Sequence, residues 1–215
     1  MAIRVTSELY ADYLVNVHEL INSKGDYITQ LDSATGDGDH WSNLNKGFTK
    51  LSEMRDELAE LRLYDAFKKI GMTMMSVIGG SAGVLYGGAY IAAAGTLKEK
   101  EVLEREDLYK VLNAMDQDIM KRGKAQPGMK TMIDAIHPAV LAYKKSMDEN
   151  LNDEALIENV CRASELGAEA TRDMEAVRGR ANYQANKGVG HLDPGAVTMS
   201  YQICELLTTI KSTLS

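Results

Sequence analysis

The sequence has 215 residues, of which 45% are hydrophobic and 26% are charged, an ordinary composition for a globular protein. This composition excludes a chain that is disordered or collagen-like throughout. The length is sufficient to bury a full core, and we expect a single domain over residues 1–215. Acidic residues outnumber basic ones by 31 to 24, and the net charge of −7 argues against a nucleic-acid binder.

Neither a secreted nor a membrane protein is indicated. The N-terminus has no apolar signal-peptide core, and the two cysteines, Cys161 and Cys204, have no metal-ligand spacing, which predicts a cytoplasmic protein with reduced thiols. Residues 71–97 lack charge and are long enough to span a bilayer. Their seven glycines favour two buried helices joined by the loop Gly79-Gly80-Ser81.

Helical periodicity extends along nearly the whole chain, and alternating β patterns are scarce. In the first segment, for example, Leu9, Tyr13 and Val17 share one helical face. Glycines at 79, 83 and 87 recur every four residues, a spacing that lets a neighbouring helix approach closely. The predicted helices are Ser7 to Asn22, Ser42 to Glu60, Leu63 to Val77, Ser81 to Ala94, Arg105 to Arg122, Thr131 to Met147, Asp153 to Val177, and Pro194 to Leu214. We therefore predict an all-α fold, an eight-helix antiparallel up-down barrel or bundle.

Four of the seven connections are rich in glycine and in reactive side chains: residues 31–41, 78–83, 122–131 and 178–196. Each precedes an even-numbered predicted helix. In an up-down topology these helices begin at the same end, so the four connections should meet at one rim. Helix N-termini offer unpaired N–H groups and partial positive charge, which suit phosphate. Acidic residues at that rim would repel phosphate unless a cation such as Mg²⁺ joined them.

Three aspartates are the candidate metal ligands. Asp37 and Asp39 flank Gly38 on a predicted turn, and Asp32 can reach the same point. From the residues alone, these aspartates are equally explained as turn formers and a helix N-cap. An EF-hand is excluded, because no twelve-residue loop ends in Glu.

Other candidates carry two interpretations each. His40 can touch a phosphate or cap a helix, and residues 79–83 can cradle a phosphate or only permit close packing. Lys124 and Lys130 can bind anions, although lysines usually solvate a surface. Arg178 and Arg180 are better phosphate ligands, because guanidinium binds phosphate bidentately.

The last connection allows a structural explanation as well. Asp193 is suited to cap the final helix, and His191 is more simply a loop hydrogen-bonding residue than a catalytic one. No nucleophile stands beside a base. Phosphoryl transfer does not need such a pair, since it depends mainly on positioning and charge neutralisation.

Taken together, four motifs resemble those of the ADP-binding L subunit of dihydroxyacetone kinase. They are GDGDHWSNLNKGF, GGSAGVLYGGAY, RGKAQPGMKTMIDA and GRANY…GHLDPGA, in the family's order. The resemblance implies an eight-helix barrel that holds ADP or ATP at its rim through two Mg²⁺ ions. It also implies that an M-type phosphocarrier subunit rephosphorylates the bound ADP. The phosphoryl group then passes to a short keto-sugar such as dihydroxyacetone on a K-type subunit.

The same resemblance implies the site residues, none of them catalytic. The metal ligands would be Asp32, Asp37 and Asp39. The nucleotide-binding positions would be His40, Trp41, Ser42, Asn43, Ser81, Ala82, Gly123, Met132, Arg180, Asp193, Pro194 and Gly195.

Two departures from the family pattern leave alternatives open. Trp41 stands where many members have glycine, so its bulk can narrow the phosphate site or cover it. Residues 184–188, Gln-Ala-Asn-Lys-Gly, replace a run containing Glu and Arg, which bears on partner docking and substrate choice. The alternatives are a non-enzymatic Mg-ADP-binding regulatory module and an ATP-fed kinase subunit with exchangeable nucleotide. A homodimer is also left open.

Overall fold

A computed structural model describes residues 2–214, and the helices among them account for most of this range. They are α1 (Ser7–Ser23), α2 (Gly25–Thr35), α3 (His40–Glu53), α4 (Arg55–Glu60), α5 (Leu63–Val77), α6 (Gly80–Ala94), α7 (Arg105–Gly123), α8 (Ile133–Asp148), α9 (Asp153–Ala170) and α10 (Pro194–Lys211). Two short strands, β1 (Arg4–Val5) and β2 (Leu103–Glu104), pair antiparallel. The all-α prediction is confirmed.

The predicted helices were wrong in three places. α2 lies in what we expected to be a connection, where Ile28 and Asp32 face inward. The predicted helix from Ser42 to Glu60 divides into α3 and α4 at Met54. The helix predicted from Asp153 to Val177 ends at Ala170, because a 3₁₀ turn follows it from Thr171. The hydroxyl of Thr171 donates to the carbonyl of Ala168.

The helices form a closed ring. Going round it, α1 packs on α3 and α4, then α5, α6, α7, α8, α9 and α10 follow, and α10 packs back on α1. The predicted up-down arrangement is therefore confirmed. Since chain direction alternates around the ring, α3, α6, α8 and α10 all begin at one rim.

Glycines permit a close contact between α5 and α6. A Cβ placed at Gly87 of α6 would lie 2.6 Å from the carbonyl oxygen of Gly71 on α5. Any larger residue would push the two backbones apart. The predicted close approach along the glycine stripe is thus confirmed at this crossing.

The interior of the ring is partly polar. Tyr10, Tyr86 and Tyr90 are all at least 97% buried, since their exposed fractions are 3%, 1% and 1%. Tyr10 donates to the hydroxyl of Tyr90 at 3.1 Å, and Gln202 donates to that of Tyr86 at 3.0 Å. Burial raises the pKa of all three phenols, so they remain neutral within the core.

The expectation of two reduced thiols was wrong. Cys161 of α9 and Cys204 of α10 form a disulfide with their Cα atoms 5.0 Å apart. The two helices pack side by side and bring together residues 43 positions apart, a pairing that the linear spacing does not reveal.

The uncharged stretch at 71–97 is the end of α5, a glycine turn and α6. Within residues 2–214, none of the helices is both long enough and apolar enough to cross a membrane.

The disulfide should stabilise the fold mainly by restricting the unfolded chain. Replacing both cysteines with serine should lower the free energy of unfolding by about 4 kcal/mol, the chain-entropy value for a loop of this length. Urea unfolding under non-reducing conditions measures this change. Reduction of the wild type with dithiothreitol should lower its free energy of unfolding by the same amount and leave that of the double variant unchanged. Equal stability of the wild type and the double variant without reductant would contradict the prediction.

Candidate functional site

A cavity of about 290 Å³ opens at the rim where α3, α6, α8 and α10 begin. All four glycine-rich connections contribute to it, which confirms their predicted convergence. The lining residues are Asp32, Thr35, Asp37, Asp39, His40, Asn43, Gly79, Gly80, Ser81, Ala82, Leu85, Lys130, Thr131, Met132, Arg178, Gly179, Arg180, Ala181, Asp193, Pro194 and Gly195.

Three carboxylates meet at one side of this cavity. Asp32, Asp37 and Asp39 each place one oxygen within 4.8 Å of the others. Asp32 is buried in the last turn of α2, and its Oδ2 accepts the backbone N–H of His40 at 3.0 Å. Gly38 has a φ of +76°, a conformation that glycine adopts readily, and it turns the chain so that its two neighbours face the cavity.

The chemistry of this cluster fits a hard divalent cation. Three carboxylates this close together repel one another. Arg180 offsets part of this negative charge, because its Nη2 forms an ion pair with Asp37 Oδ2 at 2.5 Å. Oxygen ligands, two of them accessible, match the preference of Mg²⁺ for a few carboxylates plus water or phosphate oxygens.

His40 begins α3 behind the carboxylates. Its Nε2 shares a hydrogen bond with Thr198 Oγ1 of α10 at 2.9 Å, which fixes the ring. Burial lowers the pKa of His40, so the imidazole is held neutral, while Asp32 and Asp39 oppose this shift. Asn43, one turn further along α3, lines the cavity beside Gly79.

Trp41 and Ser42 lie outside the cavity lining. The indole of Trp41 packs over Gly25, where an added Cβ would come within 2.8 Å of Cε2, and Nε1 donates to the carbonyl of Ile21 at 3.2 Å. The structure therefore places this bulky side chain between α1 and α2 and not over the site. Ser42 donates its hydroxyl to the carbonyl of Asp39.

The opposite side of the cavity is the start of α6. Gly80 has a φ of +66° and open space around its Cα, and Ser81 and Ala82 follow it in the first turn. Because the first turn of a helix has N–H groups without intrahelical partners, the start of α6 at the cavity wall favours an anion.

A second, more apolar cavity of about 400 Å³ adjoins the first. Met132 and Leu85 line both cavities, and Gly123 lines only the second. Aliphatic and thioether walls beside an anion site suit a flat apolar group joined to a phosphate.

We call residues 171–193 the rim loop. It brings Arg180 to Asp37, and its Arg178 guanidinium donates to the carbonyl of Lys124 at 2.8 Å from Nη2. Lys130 is not the solvating lysine we expected. It is 2% exposed, and its Nζ donates to carbonyls at both ends of the rim loop.

Asp193 ends the rim loop and caps α10, as predicted. Its Oδ2 accepts the N–H of Ala196 at 2.7 Å, and Pro194 occupies the first turn. Burial raises the pKa of Asp193 to about 7, although the N–H of Ala196 and the charge of Lys130 oppose this shift. His191 contributes its backbone carbonyl to Lys130 and lies outside the cavity lining, which agrees with its simpler interpretation.

Sequence reasoning missed several lining residues. Thr35 lies outside the quoted motifs, and Ala181 lies within GRANY but has no reactive side chain. Thr198 does not line the cavity but supports His40 from behind, and in the sequence it looks like an ordinary position inside α10. Lys130 carried a weak signal, because it lies next to the first turn of α8.

Asp193 should make the protein less stable as pH rises. Its pKa is near 7 in the folded state and near 3.8 when unfolded, so the folded state holds more protons between these values. Asp193→Asn keeps the cap and removes the titration. We expect nearly equal stability near pH 4 and a variant more stable by up to about 4 kcal/mol at pH 8.

Urea unfolding at the two pH values measures this difference directly. A variant that is less stable than the wild type by the same amount at both would show that the carboxylate is ionised throughout.

Comparison with known proteins agrees with this geometry. The DAK2 domain model matches residues 34–208. The chain is 33% identical to the ADP-binding subunit DhaL of the PEP-dependent dihydroxyacetone kinase of Escherichia coli strain K12, covering 93% of this chain and 95% of the relative. It is 36% identical to the corresponding subunit of dihydroxyacetone kinase 1 from Listeria innocua, covering 92% and 93%.

A solved structure matches as well. The dihydroxyacetone kinase of C. freundii in complex with AMP-PNP and Mg²⁺ superposes with a TM-score of 0.71 at 25% identity. The match covers 92% of this chain and 33% of that one. The chain therefore belongs to the DAK2-domain family, as a DhaL-type member.

Proposed function

We propose that this chain is the nucleotide-binding phosphotransfer subunit of a dihydroxyacetone-type kinase and acts in the cytoplasm. The observation that carries the proposal is the meeting of three carboxylates and four helix N-termini at one cavity. Nucleotide and metal are also the ligands named for its relatives: ADP for the E. coli subunit, and AMP-PNP with Mg²⁺ for the C. freundii kinase.

Asp32, Asp37 and Asp39 would hold two Mg²⁺ ions against the phosphates. When bound, the ions neutralise the charge that builds up on the phosphoryl group in transit. The chain adds the N–H groups at the start of α6 and the guanidinium of Arg180, which lies 2.5 Å from Asp37 and within reach of the same phosphates.

The adenine ring would occupy the adjoining apolar cavity, with Met132 and Leu85 against its faces and Gly123 at its edge. His40 and Asn43 would contact the phosphate end. Because Asp193 caps α10, it would hold Pro194 and Gly195 at the cavity wall.

The acceptor, dihydroxyacetone or a related short keto-sugar, would be held by a separate K-type subunit. The hydroxyl oxygen of the acceptor would attack the γ-phosphorus of ATP, and the bond between that phosphorus and the oxygen bridging it to the β-phosphate would break. The hydroxyl proton would pass to a base on the K-type subunit. An M-type phosphocarrier would then transfer a phosphoryl group to the bound ADP. The cavity of this chain need supply no nucleophile, in line with a transfer governed by positioning and charge.

Resident nucleotide is the first point to test. The purified protein is denatured and the supernatant assayed for ADP and magnesium. Near-stoichiometric ADP supports a bound cofactor recharged by a phosphocarrier. Mixing the chain with K-type and M-type subunits must then yield phosphorylated keto-sugar, and an absence of transfer despite bound ADP would leave a regulatory nucleotide-binding module.

Asp37→Ala should abolish binding of Mg-ADP while leaving the helices folded. Losing one ligand of a shared metal site should weaken binding by at least about tenfold. Isothermal titration measures the affinity and circular dichroism checks the fold. Asp26→Ala provides the matched control, since Asp26 is an exposed aspartate of the same region on α2. Retained tight binding in D37A would refute the metal assignment.

A further inference from the structure

Lys130 is a buried cation in a loop whose other lysine, Lys124, is exposed. It is 2% exposed, and its backbone is left-handed with a φ of +59°. Both features are unfavourable for a residue of this type, because a side chain strains that conformation and burial disfavours the charge. A residue persists in such an unfavourable state only when its surroundings hold it there, so the contacts of the Lys130 side chain are informative.

The ammonium joins the two ends of the rim loop. Nζ donates to the carbonyl oxygen of Thr171, where the loop begins. It also donates, at 2.5 Å, to the carbonyl oxygen of His191, near the end of the loop. The loop also packs on the lysine stem, since a Cβ at Gly188 would lie 3.0 Å from Lys130 Cε. One side chain therefore holds the start and the close of a segment that has no α-helix of its own.

Asp134 fixes the conformation that aims this lysine inward. Its Oδ1 accepts the N–H of Gly128 at 2.5 Å, and its Oδ2 accepts that of Thr131 at 2.7 Å. These bonds brace the turn on both sides of Lys130. Burial lowers the pKa of the Lys130 ammonium, and the nearby carboxylates of Asp193 and Asp134 oppose this shift.

The segment held by Lys130 carries functional groups to the cavity. Arg178 and Arg180 lie within it, and Asp193 follows His191 by two residues. Other contacts also join the two arms of the loop: Gly190 donates its N–H to the carbonyl of Arg172 at 2.8 Å, Asp193 donates its N–H to Thr171 Oγ1 at 2.9 Å, and Lys187 pairs with Glu175 at 2.7 Å. The first two are neutral and the ion pair is exposed to solvent, whereas the hydrogen bonds of Lys130 are both charge-assisted and buried.

We propose that Lys130 is a positioning residue that clasps the base of the rim loop and so holds Arg180 and Asp193 at the nucleotide cavity. The nucleotide consequence rests on the proposed function, whereas the clasp itself does not. The aspartate cluster is outside the loop, so metal binding without nucleotide should not need the clasp.

Lys130→Met removes the charge and keeps the length of the side chain. Lys124→Met is the matched control, because Lys124 lies in the same connection, is exposed and also has a positive φ, of +47°. Lys130→Gly relieves the backbone strain while losing the ammonium, and separates these two effects.

Limited trypsin digestion read by mass spectrometry tests the clasp. Cleavage after Arg178, Arg180 and Lys187 should become at least about tenfold faster in K130M and K130G, while sites in the helices stay protected. K124M should behave as the wild type. Faster cleavage throughout the chain would indicate general destabilisation and would overturn a local clasp, as would unchanged cleavage of the rim loop.

Ligand titration tests the positioning role. Mg-ADP affinity should fall about tenfold to a hundredfold in K130M, since displaced binding groups lose much of their effect. Binding of Mg²⁺ alone, followed by the fluorescence of Trp41, the single tryptophan, should not weaken, because release of Arg180 only removes a competing positive charge from Asp37. Unchanged Mg-ADP affinity would overturn the proposal, whereas a wild type that binds no ADP would refute the proposed function and leave the digestion result standing.

If K130M and K130G do not fold, the wild type carries the test. Amine acetylation read by mass spectrometry should modify Lys130 far more slowly than Lys124, and modification of Lys130 should accompany rapid trypsin cleavage of the rim loop. Equal acetylation rates, or acetylated Lys130 with a protected loop, would overturn the proposal.

Discussion

The structure depends on one electrostatic constraint: four helix N-termini face the same small volume as three carboxylates. Each N-terminus carries partial positive charge, so α3, α6, α8 and α10 make the rim favourable for anions. Asp32, Asp37 and Asp39 place negative charge at the same rim. Phosphates bridged by a cation satisfy both, and the alternating direction of the helices in a closed ring brings the two together.

A chain of polar contacts connects this rim with the interior. Asp32 accepts the N–H of His40, the ring of His40 reaches Thr198, and Gln202, one turn further along α10, donates to Tyr86. A buried polar group is costly unless it is paired, so these contacts specify one arrangement of α3 and α10. The core thereby contributes to the geometry of the site as well as to stability.

The rim loop is organised in a different way from the ring. Its position depends on a few hydrogen bonds and ion pairs, among them Arg180 with Asp37 and Gln184 with the carbonyl of Ala34. Such contacts can re-form more easily than a packed core can.

Local sequence signals are sufficient to predict the helical class and the four glycine-rich connections, and an assumed up-down order then places these connections at one rim. Helical periodicity and glycine-rich breaks are such local signals. The aspartates were recognisable from residues two to five positions apart, and Asp193 from its place before Pro194. These features need only neighbouring residues to be visible.

Features that depend on residues far apart in the chain emerged from the three-dimensional packing. This packing paired Cys161 with Cys204 across two helices, turned Trp41 toward Gly25, and buried Lys130 beneath the rim loop. We also mistook α2 for a connection, because its inward face is too short to give a clear helical periodicity. Such outcomes follow from which surfaces the closed ring brings into contact, and no local spacing in the chain encodes them.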